Sequence, residues 1–192
     1  MLIFNFLLTV ACLTLCSSNI HIGHETKEIT LVTSEGTGTL NLHCIIGGPI
    51  GASSLKGDIL LLHGAKFNSG TWESLGTLRI AASNGYRVFA IDLPGYGLST
   101  IEAPEGFDPK PEIVLLEIIK TLNIHSAIVV SPSMSGRYSL PFLVSYSKLV
   151  RAFIPIAPTI PPTWTVEQVP SSFPSLIVWG QNDTLGTRYY NS

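Results

Sequence analysis

Across residues 27–32, and again across 39–46, apolar and polar side chains alternate, with Glu35-Gly36-Thr37-Gly38 between the two stretches. Successive side chains of a strand point to opposite faces, so this pattern predicts two half-buried strands joined as a hairpin. After the Gly/Pro/Ser-rich stretch 47–57 the character changes. Ile59-Leu60-Leu61-Leu62 is a continuous apolar run, as a strand buried on both faces requires. Runs of the same kind follow at 86–91, 127–130, 152–156 and 176–179. Between them lie helical periods. Trp72, Leu75, Leu78 and Ala82 recur at steps of three and four, as do Val114, Leu115, Ile118 and Leu122 behind Pro111. A third helix is expected over 134–146. Strands alternating with helices of this length imply crossover connections and a mainly parallel sheet covered on both faces, with the hairpin as an antiparallel edge. The fold class expected is α/β.

The first 18 residues do not share this rhythm. Residues 2–16 are apolar except for Asn5, Thr9 and Thr14, and they carry no charge. At roughly 15 residues the stretch is shorter than the ~20 that a bilayer span needs. It fits the core of a secretory signal peptide over 1–18, with Cys16 and Ser18 as the small residues before cleavage. An uncleaved signal-anchor and a buried N-terminal element are the other two readings. The first two place the remaining domain, 19–192, in the secretory pathway, secreted or associated with the membrane through this segment; the third leaves it in the cytoplasm.

Composition narrows the function classes. The net charge is −2, and the 11 Lys and Arg form no runs, so there is no electrostatic footprint for nucleic acid. Of the three cysteines, Cys12 and Cys16 fall in the apolar segment, which leaves Cys44 without an internal disulfide partner. No His/Cys spacing suggests a metal, and no cofactor is expected. Cys44 reads as a small core residue.

In parallel α/β sheets, ligands sit beyond the carboxyl ends of the strands, so the residues after each apolar run carry the chemistry. The 127–130 run is followed by Ser131-Pro132-Ser133-Met134-Ser135-Gly136 and then a helix. A small–x–Ser–x–small turn between strand and helix is a nucleophile elbow, which lifts the central hydroxyl above the sheet. Ser133 is the candidate nucleophile, although Ser131 and Ser135 stand where Gly is usual and three serines in a row of five also suit a plain polar turn. His63-Gly64-Ala65 follows Leu62, and the Ala65 and Met134 N–H groups are the candidate oxyanion-hole donors. Asp92-Leu93-Pro94-Gly95-Tyr96-Gly97-Leu98-Ser99 forms a tight loop in which Asp92 reads as structural. Asp183, in Gly180-Gln181-Asn182-Asp183, is the candidate triad carboxylate.

In order and spacing, the His-Gly, Asp-x-Pro-Gly-x-Gly-x-Ser, elbow and Gly-x-x-Asp pieces resemble the α/β-hydrolase superfamily from about residue 27 onward. The Leu61-Leu62-His63-Gly64 and 72–78 segments, and above all 131–142 with its Ser-x-Ser-x-Ser core, are similar to the alpha/beta-hydrolase domain-containing protein 14 group. The resemblance implies a serine hydrolase of small acyl esters or amides, working through an acyl-Ser133 intermediate. Some members of that group carry an N-terminal membrane anchor. With about 16 residues between the runs at 152–156 and 176–179, a bulky lid is not expected.

The catalytic order in that superfamily is Ser, acid, His, with the histidine after one further strand. No histidine follows Ser133 here, and Ser192 is nine residues past Asp183. The expectation is therefore an incomplete α/β-hydrolase domain, lacking the last strand and helix and inactive as it stands. A non-catalytic hydrolase-fold binding protein is the rival reading. His63 is the remaining histidine at the right edge of the sheet; His125 is expected at the opposite edge.

Overall fold

The computed structural model describes residues 19–169 and 172–183. The apolar segment 1–18 lies outside the described residues. Seven strands form one mixed sheet: β1 (Ile20–Thr33), β2 (Gly36–Pro49), β3 (Gly57–Leu61), β4 (Tyr86–Ile91), β5 (Thr100–Glu102), β6 (Ala127–Pro132) and β7 (Val150–Ile156). Their order is β1-β2-β4-β3-β6-β7, with β5 beside β2. β3, β4, β6 and β7 are parallel, and β1, β2 and β5 add antiparallel pairs. This is the α/β architecture the alternating runs and periods predict.

The hairpin is longer than its alternating core. Pairing runs from Ile20↔Pro49 to Thr33↔Gly36, so the turn is Ser34-Glu35 and not Glu35 to Gly38. Thr33 Oγ1 accepts from the Glu35 N–H (3.2 Å) and donates to the Gly36 carbonyl (3.4 Å), which fixes the turn one residue early. Gly47 and Gly48, which the sequence places in a loop, extend β2 instead. A Cβ at Gly47 would meet Ile22 Cγ1 at 3.5 Å, an ordinary contact, and the position pairs in the ladder as any strand residue would.

Among the described residues four α-helices cover the sheet: α1 (Ser69–Ser74), α2 (Thr77–Ser83), α3 (Pro111–Thr121) and α4 (Gly136–Tyr146). The expected helix through Trp72 and Ala82 is two helices, broken at Gly76, whose φ of 76° no right-handed helix contains. Alternation on the strands feeds two cores. Leu60, Leu62, Phe89 and Ile91 pack with Leu115, Ile118, Leu140 and Phe142 of α3 and α4. Leu61, Val88, Ala90 and Val130 pack with Trp72 and Leu78 of α1 and α2. Among the described residues, no helix is long and apolar enough to cross a membrane.

The run at 176–179 is not a regular strand. It follows β7 in parallel through the bridges Phe153↔Ser175 and Ile156↔Val178, while Leu176 and Ile177 are 52% and 48% exposed. It is bonded to β7 from the Leu176 N–H to the Phe153 carbonyl and from the Val178 N–H to the Pro155 carbonyl, each 3.0 Å, and from the Ala157 N–H just past β7 to the Val178 carbonyl (2.8 Å), while Pro155 has no N–H to give in return. An apolar run signals burial, but a strand also needs a continuous ladder. Even so, these bonds place the segment next to β7 and running the same way. The carboxyl ends of β3, β4, β6 and β7, and the residues after Val178, thus share one edge of the molecule.

Candidate active site at the carboxyl edge

β6 ends in Ser131 and Pro132, a single 3-10 turn covers Ser133–Ser135, and α4 starts at Gly136. Reversing direction in so few residues forces Ser133 to φ 49°, the left-handed region that side chains other than glycine rarely enter. Ser133 is exposed, and its hydroxyl makes no hydrogen bond among the described residues. Its carbonyl accepts from the Thr159 N–H (2.7 Å), which ties the elbow to the loop after β7. Gly136 allows that approach, since a Cβ there would lie 2.5 Å from the Thr159 carbonyl oxygen.

The neighbouring serines are used differently. Ser131 and Ser135 are both 0% exposed. Ser135 Oγ donates to the Pro132 carbonyl (2.8 Å), so in its 2.9 Å contact with Ser131 it accepts. Ser131 then accepts in turn from Ser139 (2.6 Å). Each hydroxyl has a single proton, so the chain has one direction, Ser139 to Ser131 to Ser135 to Pro132. Ser139 was not among the sequence candidates, although its four-residue step from Ser135 places it one helical turn further along.

The His63-Gly64-Ala65 turn lies against the elbow. A Cβ on Gly64 would meet Ser133 Cβ at 3.4 Å. Ala65 is exposed beside it, and Met134 is the second residue of a short turn, where N–H groups have no partner within the helix. The structure thus brings Ser133, Met134 and the start of the His63 loop together. His63 itself is 1% exposed. Its Nε2 accepts from the Leu93 N–H (2.9 Å), so the ring proton is on Nδ1, which donates to the Gly64 carbonyl (2.9 Å). Both ring nitrogens are occupied, and His63 shapes the loop rather than serving as a base. His125 precedes β6 at the amino edge, about 20 Å from Ser133 along the strand.

Asp92 is structural, as its loop suggests. It is 1% exposed and accepts from the Ser69 N–H (2.6 Å) and the Leu98 N–H (2.8 Å). Gly97, at φ 55°, lies directly on the carboxylate, where a Cβ would come within 2.1 Å of Oδ2. Ser99 Oγ closes the loop by donating to the Asp92 carbonyl (2.7 Å) and accepting from the His43 N–H (2.9 Å). Asp183 is half-buried in the turn after the 176–179 segment, where its N–H donates to the Gly180 carbonyl (2.9 Å). That turn lies at the carboxyl edge two strand spacings from β6, about 10 Å laterally.

Tyr96 and Tyr138 were not anticipated from the sequence. The Tyr96 ring meets His63 edge-on, with centroids 5.5 Å apart. Burial raises the Tyr138 pKa above the usual phenol value, Tyr96 and Asp108 raise it further, and Arg137 opposes them.

Comparison with known proteins agrees with this geometry. The model of the alpha/beta hydrolase fold matches residues 58–173. Protein ABHD14A of Homo sapiens is 40% identical over 132 residues, covering 68% of this chain and 49% of the relative. ABHD14B of Rattus norvegicus, provisionally named a protein-lysine deacylase, is 39% identical over 143 residues, covering 72% and 68%. The chain spans about half the length of the ABHD14A relatives it matches. Among solved structures, epoxide hydrolase VrEH1 from Vigna radiata shares the fold with a TM-score of 0.55 at 21% identity, covering 73% of this chain and 40% of that one. A hydrolase of Thermoplasma acidophilum described as CIB-like gives 0.54 at 18%, covering 82% and 88%. A seven-stranded mixed sheet with its serine elbow at the carboxyl edge, and these relatives, make the chain a member of the alpha/beta hydrolase fold family, within its ABHD14-like branch.

Proposed function

We propose that the site is that of a serine hydrolase, acting on small acyl esters or amides through an acyl-Ser133 intermediate. The single observation that carries this reading is Ser133 itself. It alone of the three elbow serines is exposed, strained at φ 49° and uncommitted in its hydroxyl. Strain of about 1–3 kcal/mol persists only where the surroundings enforce it, and such positions cluster at sites of chemistry. In this reading Ser133 attacks the acyl carbon, and the Ala65 and Met134 N–H groups bind the oxygen as it becomes negative. Asp183 is the carboxylate that would orient a base. The deacylase name of one relative suits an acyl substrate. No cofactor is part of this reading.

The second reading, a non-catalytic hydrolase-fold protein that binds an acyl ligand, is supported by His63, whose two ring nitrogens are committed to the Leu93 N–H and the Gly64 carbonyl. The 192-residue chain is expected to turn over a small nitrophenyl ester at least about a thousandfold more slowly than a triad enzyme, because losing the base leaves the oxyanion hole and binding alone. Labelling by a fluorophosphonate, with added imidazole as a stand-in base, separates the two readings. Labelling should rise with imidazole and vanish in Ser133→Ala. Labelling that survives Ser133→Ala and disappears in Ser131→Ala would sink the assignment.

We also propose that the uncharged segment 2–16 directs the chain to the secretory pathway, by cleavage after Ser18 or by retention as an anchor. In a microsome translation with a C-terminal tag, the tag should be protected from protease until detergent is added. A fully digested tag on a chain of unprocessed mass would place the protein in the cytoplasm.

A further inference from the structure

Beside the elbow is a cavity of about 260 Å³, lined among others by Tyr96, Asp108, Pro111, Met134, Arg137 and Tyr138. It is smaller than most pockets for drug-sized ligands, which suits a short acyl compound. Its polar groups are uncommitted. The Tyr96 and Tyr138 phenols make no hydrogen bond, and Arg137 and Asp108 form no ion pair with each other or with any other group, among the described residues. A guanidinium can only donate, and a phenol donates readily to a charged acceptor, so three donor-bearing residues line one small space. Asp108 is the opposing charge. Nothing in the acyl chemistry proposed above requires a cation in this wall.

We propose that Arg137, with the phenols of Tyr96 and Tyr138, forms an anion-recognition subsite that selects acyl substrates bearing a carboxylate a few atoms from the reacting carbonyl. The proposal rests on the reading of Ser133 as the reacting group, because Met134 links the cavity to the elbow. Arg137 reads the charge as a planar fork that matches a carboxylate. The tyrosines supply hydrogen bonds that a neutral ester would use less well. Asp108, one carboxylate set against one guanidinium and two phenols, weakens the selection.

Binding, not turnover, is the direct test. Monomethyl glutarate, an anionic ester, and dimethyl glutarate, its neutral counterpart, are titrated into the 192-residue protein by ligand-observed NMR. The monoester should bind about tenfold more tightly, the scale of one charge-assisted hydrogen bond. Arg137→Gln should erase the preference, Arg137→Lys should keep part of it, and Asp108→Asn should strengthen monoester binding. Equal affinities for the two esters, or a preference that survives Arg137→Gln, would overturn the subsite. If Arg137→Gln fails to fold by circular dichroism, Arg137→Met is judged by the same criterion, and Tyr138→Phe should lessen the preference, an unchanged preference overturning the subsite. Fluorophosphonate labelling in the same samples keeps the two ideas apart. A charge preference without labelling at Ser133 sinks the nucleophile and leaves the subsite, whereas labelling without a preference sinks the subsite alone.

Discussion

At the scale of single residues, the elbow shows how one amino-acid type serves opposite ends. Ser133 occupies a left-handed backbone conformation in an exposed residue, while Ser139, Ser131 and Ser135 pass their protons along one buried chain that ends on the Pro132 carbonyl. The first arrangement opposes stability and the second supports it. A side chain in the left-handed region costs about 1–2 kcal/mol that glycine avoids. Ser133→Gly should therefore be more stable than Ser133→Ala by about 1 kcal/mol in urea unfolding, although both lose the hydroxyl. Ser131→Ala should be less stable than wild type by about 1–3 kcal/mol, because it removes the acceptor of Ser139 and the donor to Ser135. If Ser133→Gly and Ser133→Ala unfold at the same urea concentration, the strain assigned to this turn is absent.

At the scale of elements, what the sequence shows depends on how local the cause is. The strands at 57–61, 86–91 and 127–132 and the helix Pro111–Thr121 are legible because burial on both faces, or on one stripe, writes its period into consecutive residues. The three-residue β5 is not legible. Its pattern in Thr100–Glu102 is wholly exposed, and it is a strand only because Thr39–Asn41 lies alongside. The break between α1 and α2 is hidden for another reason. Trp72, Leu75, Leu78 and Ala82 keep helical spacing across it, and only Gly76 marks the change of direction. The 176–179 segment fails in the opposite sense, apolar in sequence yet without a continuous ladder. In the site, the elbow and the His-Gly turn are read from spacing, since tight backbone geometry restricts which residues fit. The Ser139 link and the Tyr96–His63 contact are not, because they depend on which side chains the fold brings together.

At the scale of the whole molecule, the interior of the hairpin holds an ionisable group that links folding to alkaline pH. Cys44 is 0% exposed, and its thiol is pushed up from an ordinary 9.0 to about 11. Burial is the main cause, Glu25 adds to it, Lys27 opposes it, and Asp92 adds a little more. The folded protein therefore keeps this proton when the unfolded chain releases it. The resulting stability is complete below about pH 9 and is lost as the pH rises toward 11, by about 3 kcal/mol at 1.36 kcal/mol per unit. Wild type and Cys44→Ala, unfolded in urea at several pH values, should differ in slope over that window and nowhere below it. Parallel slopes through pH 11 would show that the thiol does not titrate as described.

The one-way hydroxyl chain has a practical corollary for anyone handling the protein. Three serines stand within five residues, yet only Ser133 is chemically addressable while the chain is folded. An acyl or phosphoryl adduct found on Ser131 or Ser135 is therefore a record that the molecule had opened before it met the reagent. Peptide mapping of this short stretch would then sort a preparation into molecules modified intact and molecules modified after unfolding.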